Sequence, residues 1–443
     1  MNIESIKSVL LTVLVLLSIF LTWRLWTYHP EYETIENTNN VVKEVSISNK
    51  KQLSSLITPT KIIFHHQDLH VGTTETTNIH SVMNQVRKWE ISNIVNISST
   101  INDGEYSSFM ERAGHVEILY SDDLPMNIIR SFIQINDKDL KSISIDRIVI
   151  DVHLNNNEPG KVYLVSDEKQ EIYEANVSRE SISEFKQLFY DNSTSFTKYI
   201  AYRPSKSHTI YLPQSDTSIN TIQYYTDFLD PEIFKEALFQ DPTSVKKHPL
   251  TYGEEYTDGS RLLRVFSGKK YFQYINPVNT TENDGTETTE LLKTSIDFVN
   301  DHGGWTDNYR FFRWNSNENM TLFRLYVNNL PVFNKSGLTE IQQIWGKNEI
   351  IRYQRPLLTL EIAIPSKQMD LPGGGEVIKR IESLQDFDPN LIGDITIGYE
   401  LVEIPDKSNV VTLMPIWSFE YDGVWRKIEF VDATEGGNKR GME

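Results

Sequence analysis

The sequence predicts an α+β protein: one N-terminal transmembrane helix followed by an extracytoplasmic multidomain body of antiparallel sheets with packed helices. Three observations predict it. Ser8 to Trp23 is an uncharged run, mostly Leu, Val and Ile, closed by Lys7 and Arg24, and nothing comparable recurs in the 443 residues. Beyond it, short stretches of alternating apolar and polar residues are separated by turn residues, the mark of antiparallel strands. Between groups of such strands lie segments with helical spacing, the α+β order.

The apolar run is the first element. A bilayer core needs about 20 helical residues. Counting from Ile6 to Trp26 reaches that length, because Lys7 and Arg24 can extend their charges to the two interfaces. Trp23, Trp26 and Tyr28 then fall in an aromatic belt. A cleaved signal peptide competes with this reading, but Trp and Tyr crowd the positions where a small-residue cleavage site belongs. Lys7 argues for a cytoplasmic N-terminus and Arg24 weakly against it; the expected orientation is N-terminus inside, body outside. At about 100° per residue, Ser8, Thr12, Ser18 and Thr22 share one face. That seam can hydrogen-bond a partner helix, or each hydroxyl can bond back to its own helix.

Composition narrows the function. The net charge is −18 (43 basic against 61 acidic residues). This argues against nucleic-acid binding, which needs a basic face, and against an anionic lipid surface as main partner. The absence of cysteine excludes disulfides, thiolate catalysis and Cys-based metal centres. The expected division is a cytoplasmic tip and anchor over 1–30, a stalk over 31–50, and an N-terminal α+β domain over 51–205. A central domain over 206–305 and a related C-terminal domain over 306–443 follow.

Within the body, Pro59-Thr-Lys-Ile-Ile-Phe-His-His opens the first folded region with a strand. Val82, Val86 and Trp89 place a helix over His80–Trp89. Val116–Tyr120 reads as a strand, and Leu124–Ile133 as a short helix capped by Asp122 or Asp123 with Pro125 in its first turn. A meander follows: Ile145–Leu154, Lys161–Val165 and Gln170–Ala175. Ser178 caps a helix ending near Tyr190. Pro231–Phe239 is a helix; Arg261–Phe266 and Tyr271–Ile275 form a hairpin. The last third holds an internal echo. Helix Leu291–Val299 leads to strands at Tyr309 and Leu322–Phe333, and helix Glu376–Leu384 leads to strands at Ile395 and Leu413 before a tight turn.

Few residues recommend themselves for chemistry. His65, His66 and His70 cluster with Asp68 among them, and His80 follows, but a strand precedes them where a His-x-x-x-His metal site wants a helix. A His-bearing hairpin edge is the expectation. Gly373-Gly374-Gly375 precedes a helix, yet Glu376 occupies the first turn where an anion would sit, so a flexible loop is expected. Glu400 and Glu403 show no special pairing. Trp305, Trp314, Trp345, Trp417 and Trp425 are expected in cores. All ten histidines precede Trp305. No catalytic, cofactor-binding or metal residue is assigned, and the chain is read as no enzyme.

Two stretches resemble the YycH family of low-GC Gram-positive bacteria. One is the opening Met-Asn-Ile-Glu-Ser-Ile-Lys-Ser-Val-Leu-Leu-Thr running into Leu-Thr-Trp-Arg-Leu-Trp-Thr-Tyr. The other is Ile-Gly-Tyr-Glu-Leu with Met-Pro-Ile-Trp-Ser-Phe. The resemblance covers the whole chain. It implies a single-pass protein with a three-domain exterior body, whose partners are the related YycI protein and the WalK (YycG) sensor histidine kinase controlling cell-wall metabolism. Kinase contact is implied through the membrane helices. Two other readings stay open: an anchored lipid- or wall-fragment-binding module, and a cell-wall hydrolase.

Overall fold

Strands are the commonest regular structure among the described residues of the body. The computed structural model describes residues 14–18, 45–46, 48 and 50–430, apart from 68, 103, 138–142, 156–157, 206–207, 278–287, 348 and 405–408. Residues 14–18 belong to a separate unit, Met1–Val42. They are helical, with Leu14, Val15, Leu16 and Leu17 exposed. No helix among the described residues is long and apolar enough to cross a membrane. The expected span lies outside the described residues except for these five.

In the second unit, alternation sorts the described residues into two large sheets, beside a short parallel pairing of Val45–Ser46 with His302–Gly303. The N-terminal sheet is a largely antiparallel array of ten strands among the described residues. Its centre is Lys61–His66 beside His115–Pro125, then Ser144–Asp151, Gly160–Ser166 and Glu171–Val177. Ile62, Phe64, Val116, Ile118, Ile148 and Ile150 point to one face and pack with Val82, Val86 and Trp89 of helix Thr76–Val86 and its end. That helix begins four residues before its expected start. The strands Thr197–Tyr202 and Ile210–Pro213, hidden in a Ser-, Lys- and Pro-rich stretch, close this sheet at one edge.

The C-terminal sheet runs from Thr217 to Lys427. Helix Thr288–Asp301 is followed by strands Tyr309–Asn315, Met320–Val327 and Leu330–Phe333. Helix Gly374–Glu382 is followed by Ile392–Glu403, Val410–Tyr421 and Val424–Lys427. The expected single strand Leu322–Phe333 is two, because Asn328 and Asn329 both adopt left-handed φ (52° and 63°) and turn the chain. Asp422 and Gly423 do the same in the second copy (53° and 71°). The two meanders join where Leu330–Phe333 runs parallel to Ile392–Glu403, over two pairs only, Val332 with Tyr399 and Phe333 with Glu400. Gly398 permits that approach: a Cβ there would lie 2.6 Å from the Pro331 carbonyl.

Two further expectations need correction. Asp122 and Asp123 do not cap a helix; they continue the strand His115–Pro125, and the helix shrinks to Met126–Ile129. Tertiary partners have claimed both carboxylates. The Gly373–Gly375 segment is not loose either. Gly373 N–H donates to Asp216 at 2.9 Å, and a Cβ on Gly374 would meet Leu212 at 2.5 Å. These glycines let the helix start press against the N-terminal sheet.

Candidate functional site: a charged cleft between the two sheets

Asp146 and Arg147 interrupt the Ile and Val run of strand Ser144–Asp151, so their charges are carried into the interior. Arg147 is 3 % exposed. Its guanidinium reaches Glu117 at 3.1 Å, Asp146 at 3.1 Å and Asp167 at 3.0 Å. Glu117 is fully buried and also accepts from Tyr211 at 2.5 Å and His65 at 2.8 Å. His65 Nδ1 lies 2.7 Å from His70 Nδ1. Asp167 accepts from Tyr106 at 2.9 Å and from His208 Nδ1 at 2.5 Å. His208 Nε2 donates to the Gly393 carbonyl at 2.7 Å. Hydrogen bonds therefore run unbroken from the His65–His70 hairpin to strand Ile392–Glu403 of the other sheet.

The network's charges set one another. Burial raises the Glu117 carboxyl, but His65 and Arg147 outweigh it and hold it below the usual range. Asp167 is likewise held low by Arg147 and His208 against burial. Asp146 is pushed up to about 6, by burial above all. Burial opposes charge on His208, yet the bond to Asp167 wins and its pKa is raised. Both His208 nitrogens face acceptors, so the imidazolium satisfies the site and the neutral ring cannot.

Beside this network lies a cleft of about 800 Å³, walled by Lys61, Asp122, Lys169, Trp314, Asp394 and Trp425 among others. Three bonds tie its two sides. The Asp122 carboxylate accepts Trp314 N–H at 2.9 Å, Trp314 Nε1 donates to Asp123 O at 2.9 Å, and Ser121 donates to Phe311 O at 3.1 Å. Asp123 accepts from Ser144 and Ser166 at 2.9 and 3.0 Å. Burial pushes Asp122 up to about 7.

The raised groups Asp146, His208 and Asp122 act in one direction on stability. A raised His208 contributes stability that is full below its unfolded pKa of about 6.5 and is lost as pH rises through its folded value. With Asp122 raised to about 7, the folded state binds more protons than the unfolded one between about pH 4 and 7, so stability falls as pH rises there. The double variant His208→Gln, Asp122→Asn is expected to flatten urea midpoints measured from pH 5 to 8. An unchanged slope would contradict this assignment.

The residues singled out in the sequence lie mostly elsewhere. His65 and His70 do face each other across a hairpin, but not at an edge: Leu69–Thr73 also pairs with Thr197–Tyr202, and His65 is fully buried. His66 bonds Ser193 at 2.9 Å, His80 is exposed, and Asp68 lies outside the described residues. Glu400 pairs with Lys427 and Glu403 with Lys270, each at 2.9 Å. Trp305, Trp345 and Trp417 are in cores, whereas Trp314 and Trp425 edge the cleft. Of the anchor residues, Ser18 is in the helical segment 14–18; Lys7, Ser8, Thr12, Thr22, Trp23, Arg24, Trp26 and Tyr28 lie outside the described residues. The sequence reading passed over Lys61, Asp146, Arg147, Asp167 and His208. Opposite charges inside the Ile145–Ile150 run were the available signal.

Two family models divide this chain between them: the YycH protein N-terminal domain over residues 4–194 and the YycH protein C-terminal domain over residues 207–435. The chain belongs to the YycH family. A Bacillus subtilis (strain 168) relative, the two-component system WalR/WalK regulatory protein YycH, is 25% identical over 440 residues, 96% of each chain. The crystal structure of YycH from Bacillus subtilis matches with a TM-score of 0.73 at 23% identity, over 87% of this chain and 99% of that one. The YycH fold is thus the sheet-rich α+β fold described above.

Proposed function

We propose that this YycH-family chain is a single-pass membrane-anchored regulatory protein that modulates an essential WalK-type (YycG) sensor histidine kinase controlling cell-wall metabolism. Its N-terminus is cytoplasmic and its three-part body extracytoplasmic. It works in a complex with the kinase and a YycI-type regulator, through transmembrane and exterior contacts, rather than as an enzyme. The observation that carries this reading is end-to-end similarity to a relative named as a WalR/WalK regulator. The lone apolar run Ser8–Trp23 supports the anchor.

The seam Ser8, Thr12, Ser18, Thr22 faces the partner helices in this reading. Two or three interhelical hydrogen bonds at about 0.6–2 kcal/mol each bias a two-state kinase tenfold or more, since about 1.4 kcal/mol is a factor of ten. Changing all four residues to Ala or Val is expected to leave membrane insertion intact and shift kinase output. Pull-down from membranes is expected to recover the kinase and a second single-pass protein. Recovery of neither would sink the proposal. Normal output with an unrelated apolar anchor would reduce the helix to a tether.

A further inference from the structure

Lys61 opens the central strand of the N-terminal sheet and is 9 % exposed. Among the described residues its ammonium has neither a hydrogen bond nor an ion pair, and it lines the cleft between the sheets. That ammonium opens onto the cleft. Asp122 lines the same cleft; among the described residues its carboxyl accepts from the N–H groups of Trp314 and Asp123 and forms no ion pair, although the Arg313 charge acts on it. Lys169 lies 3.7 Å from Asp123 and Arg313 is bonded to Glu420, so the cleft's other cations are committed.

We propose that the cleft is a binding site for a small zwitterionic peptide, its carboxylate on Lys61 and its ammonium on Asp122. The signs decide between ligand classes. A simple anion on Lys61 would be repelled by Asp122, Glu168 and Asp394, which line the same cleft. A simple amine on Asp122 would leave Lys61 unpaired. Only a ligand carrying both charges completes both groups. Lys61 pairs with Leu119 on the neighbouring strand, and Asp122 lies where that strand bulges between Leu119 and Leu124, so both line the one cleft. Phe312, Trp314 and Trp425 supply apolar wall for a side chain. The volume falls in the ordinary range for small-ligand sites, about 300–1,000 Å³. This inference stands apart from the kinase reading.

The probe is the dipeptide Ala-Phe, titrated calorimetrically into the full chain in detergent beside N-acetyl-Ala-Phe, which lacks the ammonium, and Ala-Phe amide, which lacks the carboxylate. The zwitterion is expected to bind at least tenfold more tightly than either capped form. Lys61→Met should erase the preference over the amide, and Asp122→Asn the preference over the acetylated peptide. Without ligand, Lys61→Met should melt no lower than the parent, because it leaves no protein group behind unpaired. No heat with any probe, equal binding of all three, or a lower melting point for unliganded Lys61→Met would each overturn the assignment.

Discussion

Replacing Arg147 by methionine is expected to cost about 3–5 kcal/mol of folding stability at neutral pH, the usual penalty for breaking a buried ionic group by removing one partner. The size follows from the geometry. Methionine fills similar space but leaves Glu117, Asp146 and Asp167 facing one another without their shared cation. In the parent, Glu117 and Asp167 are held below the usual carboxylate range. Their contribution is therefore present above the unfolded pKa of about 4 and is lost as pH falls through the folded values. In the variant the same carboxyls protonate more readily, so the deficit should be largest at pH 8 and shrink toward pH 5. Urea midpoints at both pH values read this out. A loss below about 1 kcal/mol, or an equal loss at both, would mean that water screens the network.

Trp417→Ala should cost a similar amount, about 3–5 kcal/mol, the range for emptying a buried tryptophan site. Trp417 is 1 % exposed and packs in a core with Leu212, Leu371, Val377, Ile381 and Ile395. Its Nε1 donates to the Pro372 carbonyl at 3.0 Å. Leu212 comes from the N-terminal sheet and the others from the C-terminal half, so this one ring helps fasten the two sheets. Protease cleavage near Pro372–Gly375 should accelerate in the variant along with the drop in urea midpoint. Unchanged cleavage would mean that the glycine segment is held by Asp216 alone.

Much of this fold is legible in the residues themselves. Ser178 before an apolar-periodic stretch marks a helix start, and its hydroxyl does accept the Ser181 N–H at 3.1 Å. The hairpin of Leu262–Phe266 with Tyr271–Ile275 follows from alternation alone. The strands Thr217–Phe228 and Leu358–Leu371 escape because each leaves much of its length exposed to solvent and shows no clean apolar face. The charged network escapes for another reason. Local pattern assigns Asp122 and Asp123 to a cap, and only distant partners, Trp314, Ser144 and Ser166, draw them into a strand. A free ammonium at Lys61 is equally invisible, since a lysine beginning a strand is ordinarily solvated.

The parallel junction of Leu330–Phe333 with Ile392–Glu403 also has a mechanical meaning. On one side, strand Ile392–Glu403 is riveted to Val410–Tyr421 by ten residue pairs. On the other, two pairs link it to Leu330–Phe333, which is itself held to Met320–Val327 by two more. In backbone pairing the middle of the sheet is thus its weakest seam, helped by Arg313 on Glu420 and by Trp425 packed on Phe312 and Phe333. Pulled apart, the body should rupture at that seam first, and the force needed would be set by these few links rather than by the size of the sheet.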